Sequence, residues 1–353
     1  KVIEIPNNVT VIGIFALEHC TKLERVILPD SIKEIRMGAF YDCQNLKDIK
    51  LPERLEVIRN GAFLKCKSLT EIDIPNDVRV IEEGAFSECS SLTNVQLPNT
   101  ITEIKEKTFS DCINLKSIYL PDSLKTVGAS AFYNCSSLST VRMSEGIERV
   151  EENAFCGTEF LKSGMADEYG SVYLGKVLLY NKGLNNTVIV KDSTKVIANA
   201  VFINNSGLRE IELPEGIIEI GDNCFENCIE LKKINIKEGL KRIGINAFAH
   251  SGLEEVKLPE SIIEIGNGAF NNCKDLYDIN LPSEIESIAG YSLENTKYLN
   301  NIKPDEYGCK YVDNILLSSE NNGSSIIHIK AGTRVIGAQA FKNRKDIEEV
   351  YIP

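Results

Sequence analysis

The sequence repeats every 23 residues, and that feature limits what the chain can become. LPDSIKEIRMGAFYDCQNLKDIK, starting at Leu28, is followed by LPERLEVIRNGAFLKCKSLTEID and then by IPNDVRVIEEGAFSECSSLTNVQ. Aligned on its proline, the unit recurs at Pro6, Pro29, Pro52, Pro75, Pro98, Pro121, Ser144, Lys191, Pro214, Lys237, Pro259, Pro282 and Lys330, and a further copy opens at Pro353. These make thirteen coils. A unit this short cannot enclose a core alone. Stacked on like neighbours it can, so the predicted fold is a solenoid.

Each coil repeats one chemical pattern. In the second coil the inward set is Ile32, Ile35, Ala39, Phe40, Cys43, Leu46, Ile49 and Leu51. Ile49 and Leu51 alternate with Asp48 and Lys50, as a half-buried strand requires. Gly38-Ala39-Phe40 leads to Cys43 and Leu46 at three-residue spacing, which predicts a short helical turn between extended pieces. Phe40, Phe63, Phe86, Phe109, Phe132, Phe155, Phe202, Phe225, Phe248, Phe270 and Phe341 share one slot, with Leu17 and Leu293 in the other two coils. Stacking predicts a buried spine, each ring contributing about 3 kcal/mol by leaving water.

Two intervals, Ser144 to Lys191 and Pro282 to Lys330, carry extra sequence, and the extras resemble each other. Asp167-Glu168-Tyr169-Gly170 recurs as Asp305-Glu306-Tyr307-Gly308. Each then reads as a hairpin, turning at Gly175-Lys176 or Asp313-Asn314. The predicted organisation is one solenoid: coils over 1–162, an insert over about 163–187, coils over 188–302, an insert over about 303–325, and a coil over 326–353. The chain starts inside a repeat without a Met, so we expect it to be part of something longer.

Eight of the eleven cysteines (Cys20, Cys43, Cys66, Cys89, Cys112, Cys135, Cys228 and Cys273) occupy one slot three residues after the Phe position. Thr158, Asn205, Ser251, Thr296 and Arg344 fill that slot elsewhere. The pattern favours small, buried, free thiols, with disulfides between stacked coils as the alternative, and no metal site, since no C-x-x-C pair occurs. Cys309, in an insert, is the expected exposed thiol. No nucleophile elbow, phosphate loop or zinc-protease motif is present, which predicts a protein with no catalytic residues and no cofactor. A net charge of −12 argues against nucleic acid as a partner. No apolar run is long enough to insert into a membrane.

The unit L-P-x-S-I-x-x-I-x-x-x-A-F-x-x-C-x-x-L-x-x-I-x resembles the BspA-like leucine-rich repeats of bacterial surface proteins. The resemblance spans essentially the whole chain, including the insert residues Tyr173 to Tyr180. It implies a leucine-rich-repeat solenoid: a right-handed superhelix, mainly β, of stacked short strands and short helical turns. It also implies a secreted or cell-surface location and, in some members, adhesion to host proteins or other cells. A polar capping coil is absent from both ends, and the strand pattern lapses at Leu161 and at Leu299 to Pro304.

In such folds the variable strand positions form an extended face. Here they include Arg25/Ile27, Asp48/Lys50, Glu71/Asp73, Asn94/Gln96, Ser117/Tyr119, Thr140/Arg142, Asn301/Lys303 and Glu349/Tyr351. Tyr and Arg dominate interface hot spots, so Arg25, Tyr119, Arg142 and Tyr351 are the candidate ligand contacts. Tyr173 and Tyr311 are the candidates on the inserts. The sequence reading is a non-enzymatic binding or adhesion module for an extracellular protein or glycan. The alternative is a stalk that displays another domain.

Overall fold

The computed structural model describes residues 1–143, 146–163, 166–183 and 185–353, so the Ser144 position of the proline slot lies outside the described residues. The chain forms a β-solenoid of about fifteen turns, with strands predominating over helix. It divides into two compact units. One comprises Lys1–Ala166 with Val172–Val177, the other Asp167–Ser171 with Leu178–Pro353.

The regular coils contribute two short strands each, and these pair in parallel with their equivalents one coil on in runs of two or more coils. In the first unit Val2–Glu4 lies beside Arg25–Ile27, and Arg25–Ile27 beside Asp48–Ile49. A second ladder runs through Val11–Ile12, Glu34–Ile35, Val57–Ile58 and Val80–Ile81. The second unit repeats this plan through Val196–Ile197, Glu219–Ile220, Arg242–Ile243, Glu264–Ile265 and Ser287–Ile288. Alternation sets the faces: Val26 is buried between exposed Arg25 and Ile27, and Ile72 between exposed Glu71 and Asp73.

The expected helical turn is realised as successive tight turns that also bind the next coil. Alternate N–H groups of Gly38, Phe40 and Asp42 donate to the carbonyls of Asn60, Ala62 and Leu64 at 3.0, 2.8 and 2.8 Å. Those of Ala39, Tyr41 and Cys43 donate three residues back, to Arg36, Gly38 and Phe40. Two residues per coil take positive φ to allow this, Gly38 at 59° and Asp42 at 58°. Glycine fits the first slot because it has no Cβ to clash there. Later coils place Lys107, Ser130 or Ala200 in it, held by the bonds on either side.

Phe40 through Phe155 stack in the first unit and Phe202 through Phe270 in the second. Ring centroids are 5.1–5.5 Å apart and interplanar angles do not exceed 15°. These rings are fully buried, as the spine reading requires.

The inserts begin where the cysteine slot becomes threonine. Thr296 Oγ1 accepts from Leu299 N–H at 3.1 Å and caps a five-residue helix, Lys297–Asn301. Thr158 Oγ1 accepts from Leu161 N–H at 3.4 Å ahead of Glu159–Ser163. Helix therefore replaces the strand of both coils, and Asn301/Lys303 is not an outward strand pair. The hairpin turns fall as expected at residues 175–176 and 313–314. Strand Ile315–Ser319 pairs antiparallel with Cys309–Val312 and parallel with Val335–Ile336. An insert strand thus occupies a rung of the ladder, which raises the count above the thirteen coils read from the repeat.

The same turn opens both inserts. Asp167 Oδ1 accepts from the N–H groups of Tyr169 and Ser171 at 2.9 and 2.8 Å. Asp305 Oδ1 does so from Tyr307 and Cys309 at the same two distances. In the last coil Arg344 takes the cysteine slot and is buried. Its guanidinium grips Asp346 at 2.9 Å and the carbonyls of Glu320 and Ser324 at 2.8 and 2.9 Å, tying the insert's return strand to the coil. This contact holds the Asp346 carboxyl below its usual range.

All eleven cysteines are free thiols. Cys309 corrects the sequence reading: it is 1% exposed, packed with Leu316, Ile327, Ile329 and Ala340. Cys156 is the exposed one.

Candidate binding surfaces

Because the repeat keeps its register, residues 23 apart become lateral neighbours on the strand face. Tyr119 is the direct register partner of Arg142, and Ser117 of Thr140. Tyr119 is 53% exposed, and Arg142 is exposed beside it. Ile118 and Val141, between the outward positions, are buried and hold the strands to the core. Among the described residues Arg142 forms no ion pair. Arg25, by contrast, pairs with its register partner Asp48 at 3.0 Å, so its charge is already matched.

Toward the preceding coils the strand-face neighbours of Tyr119 and Arg142 are polar and uncharged. Asn94, Gln96, Ser117 and Thr140 face the same way, and the acidic pair Glu71/Asp73 begins one coil earlier. An exposed ring beside an exposed guanidinium, with amides and hydroxyls on the preceding coils, can stack on a flat or apolar group while donating several hydrogen bonds.

On the second unit Tyr351 is also exposed, at 51%. It lies in register with His328, their rings 4.7 Å apart and 11° from parallel. Tyr307 of the insert also meets His328, its ring centroid 5.1 Å away and tilted by 40°. Tyr351 donates its hydroxyl to Glu349 at 2.7 Å. The sequence reading singled out Tyr351 but not this cluster, because its members come from three separated segments. Earlier on the same face Lys233 pairs with Glu255 and holds that carboxyl below its ordinary range.

The insert tyrosines differ from the strand-face ones. Tyr311 is half-buried against the Cys309 cluster, and its hydroxyl accepts the Lys330 N–H at 3.1 Å. Burial pushes its phenol above the ordinary value. Tyr173 lies in the strand Ser171–Leu174 and is also half-buried.

The second ladder carries linked charges. Arg59 reaches Glu34 at 2.7 Å and Glu82 at 2.8 Å, so one guanidinium bridges three coils. Arg59 holds the Glu34 carboxyl below its usual range. Arg242 does the equivalent work with Glu219, Asp222 and Glu264 at 2.5, 3.4 and 3.5 Å. These carboxylates are engaged by arginine. Among the described residues there is no group of three or more His, Cys, Asp or Glu side chains placed to hold a metal ion. No helix among the described residues is long and apolar enough to cross a membrane.

The sequence profile of the BspA type leucine rich repeat region matches residues 1–90, 56–171, 172–300 and 241–353. The chain belongs to that family. Among solved structures, a leucine-rich repeat protein from Bacteroides ovatus is similar at 26% identity and a TM-score of 0.51, covering 95% of this chain and 83% of that one. A leucine rich cell surface protein from Faecalibacterium prausnitzii is 29% identical, covering 79% of this chain and 78% of that one, with a TM-score of 0.42. Comparison with curated proteins gives no match. In this BspA-type chain the repeat residues that define the family are the buried ones, Phe40 and Cys43 among them, whereas Tyr119 and Arg142 stand at positions the motif leaves variable.

Proposed function

We propose that this BspA-type repeat region is a non-enzymatic binding module of a secreted or cell-surface protein. It engages an extracellular protein or glycan through its strand face. The observation that carries the reading is the Tyr119–Arg142 register pair, exposed and flanked on the preceding coils by the uncharged Asn94, Gln96, Ser117 and Thr140. Tyr and Arg are the side chains most often found at interface hot spots, and a hydroxyl- and amide-lined surround suits a polar, uncharged partner. The cell-surface relative supports the location, and the engagement of the second-ladder carboxylates by arginine supports a scaffold over a catalyst.

The test is retention of the purified chain on immobilised extracellular-matrix proteins and glycans, beside a Tyr119→Ala/Arg142→Ala variant. Loss of binding in the variant supports the strand face. Binding unchanged in the variant transfers the role to the inserts and overturns the assignment of this pair. If nothing binds, the chain is a stalk that displays another domain.

A further inference from the structure

The second insert parts two coils that would otherwise stack. Where coils stack regularly, the N–H groups of Phe270 and Asn272 donate to the carbonyls of Ser292 and Glu294 at 2.8 and 2.9 Å. One coil on, the same slots are Leu293 and Asn295, and their acceptors by register would be the carbonyls of Ala340 and Lys342. The insert strand Ile315–Ser319 intervenes, and the N–H of Ser319 takes the Ala340 carbonyl at 2.7 Å. The N–H groups of Leu293 and Asn295 meet no acceptor among the described residues. Earlier in the turn the two coils touch directly, since Ala338 N–H donates to the Ile288 carbonyl at 3.1 Å.

A cleft of about 360 Å³ lies between these coils and the insert. Leu293, Asn295, Leu299, Leu317 and Lys310 line it. Leu299 and Leu317 are half-buried and give it apolar walls. Lys310 is the unusual member. It is only 6% exposed, yet its ammonium donates to the Leu299 carbonyl at 3.3 Å and pairs with Glu320 at 2.5 Å. The first insert places Val172 at the equivalent position, buried and uncharged. The hairpin therefore needs no lysine there, and burying one is costly unless its charge is matched. Glu320, the matching group, is 55% exposed and free to turn outward when another carboxylate arrives. Exposed Lys342 adds a second positive charge, its Nζ 4.1 Å from the centre of the Tyr291 ring, and Glu294 is the other carboxylate on the lining.

We propose that this cleft binds a small organic carboxylate, with its charge on Lys310 and the Leu293 and Asn295 N–H groups and its apolar part against Leu299 and Leu317. The unmatched polar groups are donors, and a carboxylate offers two oxygens that each accept more than one hydrogen bond. A neutral molecule would displace Glu320 from a buried ammonium without replacing its charge. The site belongs wholly to the second unit and does not depend on the Tyr119–Arg142 reading.

The experiment follows the backbone amides of Leu293 and Asn295 by NMR in the full chain. The probe is sodium phenylacetate, with phenylacetamide and sodium chloride at equal concentration as controls. The expected result is a saturable shift of both amides with phenylacetate. Loss of the ligand charge in phenylacetamide should weaken binding by about tenfold or more, the scale of a hydrogen bond to a charged group. Lys310→Met keeps a long buried chain without the ammonium and is expected to weaken phenylacetate to a similar degree. Absence of a saturable shift, an equal response to phenylacetamide or to chloride, or unchanged affinity in Lys310→Met overturns the proposal. The comparison of phenylacetate with phenylacetamide on the unaltered chain decides the matter even if the variant folds poorly.

Discussion

Cys89 stands one coil beyond Phe63 and donates its thiol to the Phe63 carbonyl at 3.2 Å. The contact recurs along the column. Cys66 bonds Phe40, Cys112 bonds Phe86, Cys135 bonds Phe109 and Cys228 bonds Phe202, at 3.1–3.2 Å. The slot accepts cysteine because it needs a small apolar side chain with a weak donor. Where threonine enters, its hydroxyl bonds a carbonyl of its own coil and caps a helix instead.

Thiol chemistry follows from this burial. Loss of hydration pushes Cys43, Cys89 and Cys228 up to about 12, and Cys66, Cys112 and Cys224 also rise well above the ordinary thiol value. A thiol-specific reagent at neutral pH is therefore expected to label Cys156 promptly and half-exposed Cys20 more slowly. The buried column should react only on unfolding. Prompt labelling of Cys89 would contradict the stacked core.

The same burial fixes a pH dependence. The Cys89 thiol ionises near 9 in the unfolded chain and near 12 in the folded one. Between those values the unfolded chain binds fewer protons, so stability is full below about pH 9 and falls as pH rises toward 12. Cys89→Ala removes this contribution. The stability gap between parent and variant should narrow across that window in denaturant titrations, and a gap that widened would give the opposite sign.

Phe109 sits mid-column in the first unit, its ring 5.5 Å from those of both Phe86 and Phe132. Phe109→Asp removes a fully buried ring, a change costing about 3–5 kcal/mol even to alanine, and adds an unpaired charge. The first unit should lose its cooperative melt. An unchanged thermal transition would refute the inward assignment.

How much of this was legible in the sequence depended on periodicity. The Phe and Cys slots could be placed because every coil repeats them, and the 23-residue spacing alone puts Tyr119 beside Arg142. The left-handed turn residues were not legible. Lys65 at φ 65° and Glu88 at 57° are unremarkable by composition, and bonds to neighbouring coils impose their conformation. Nor could Thr158 and Thr296 be told from other small residues in the cysteine slot, although both precede a lapsed strand. Cys309 looked exposed because it lies in an insert, but that insert packs its own apolar side into the stack. The 23-residue spacing relates His328 to Tyr351, but Tyr307 joins them from an insert that the repeat does not place.

Thr296→Val tests the insert's origin. It keeps the side-chain volume but removes the acceptor for Leu299 N–H, and a lost helix cap costs about 1 kcal/mol. Hydrogen exchange at Leu299 should accelerate by roughly fivefold, the rate change that such a loss of about 1 kcal/mol gives, with the Phe202–Phe270 column unaffected. Exchange unchanged at Leu299 would remove threonine as the cause of the helix.

Hydroxyl-radical footprinting of the chain with a retained matrix protein or glycan tests the strand-face proposal most directly. Tyr119 on that face and Tyr133 on the turn side are 53% and 43% exposed, so both are oxidised readily in the free chain. The account predicts that the partner protects Tyr119 and leaves Tyr133 unchanged. Protection of Tyr133 with Tyr119 still fully reactive would contradict it.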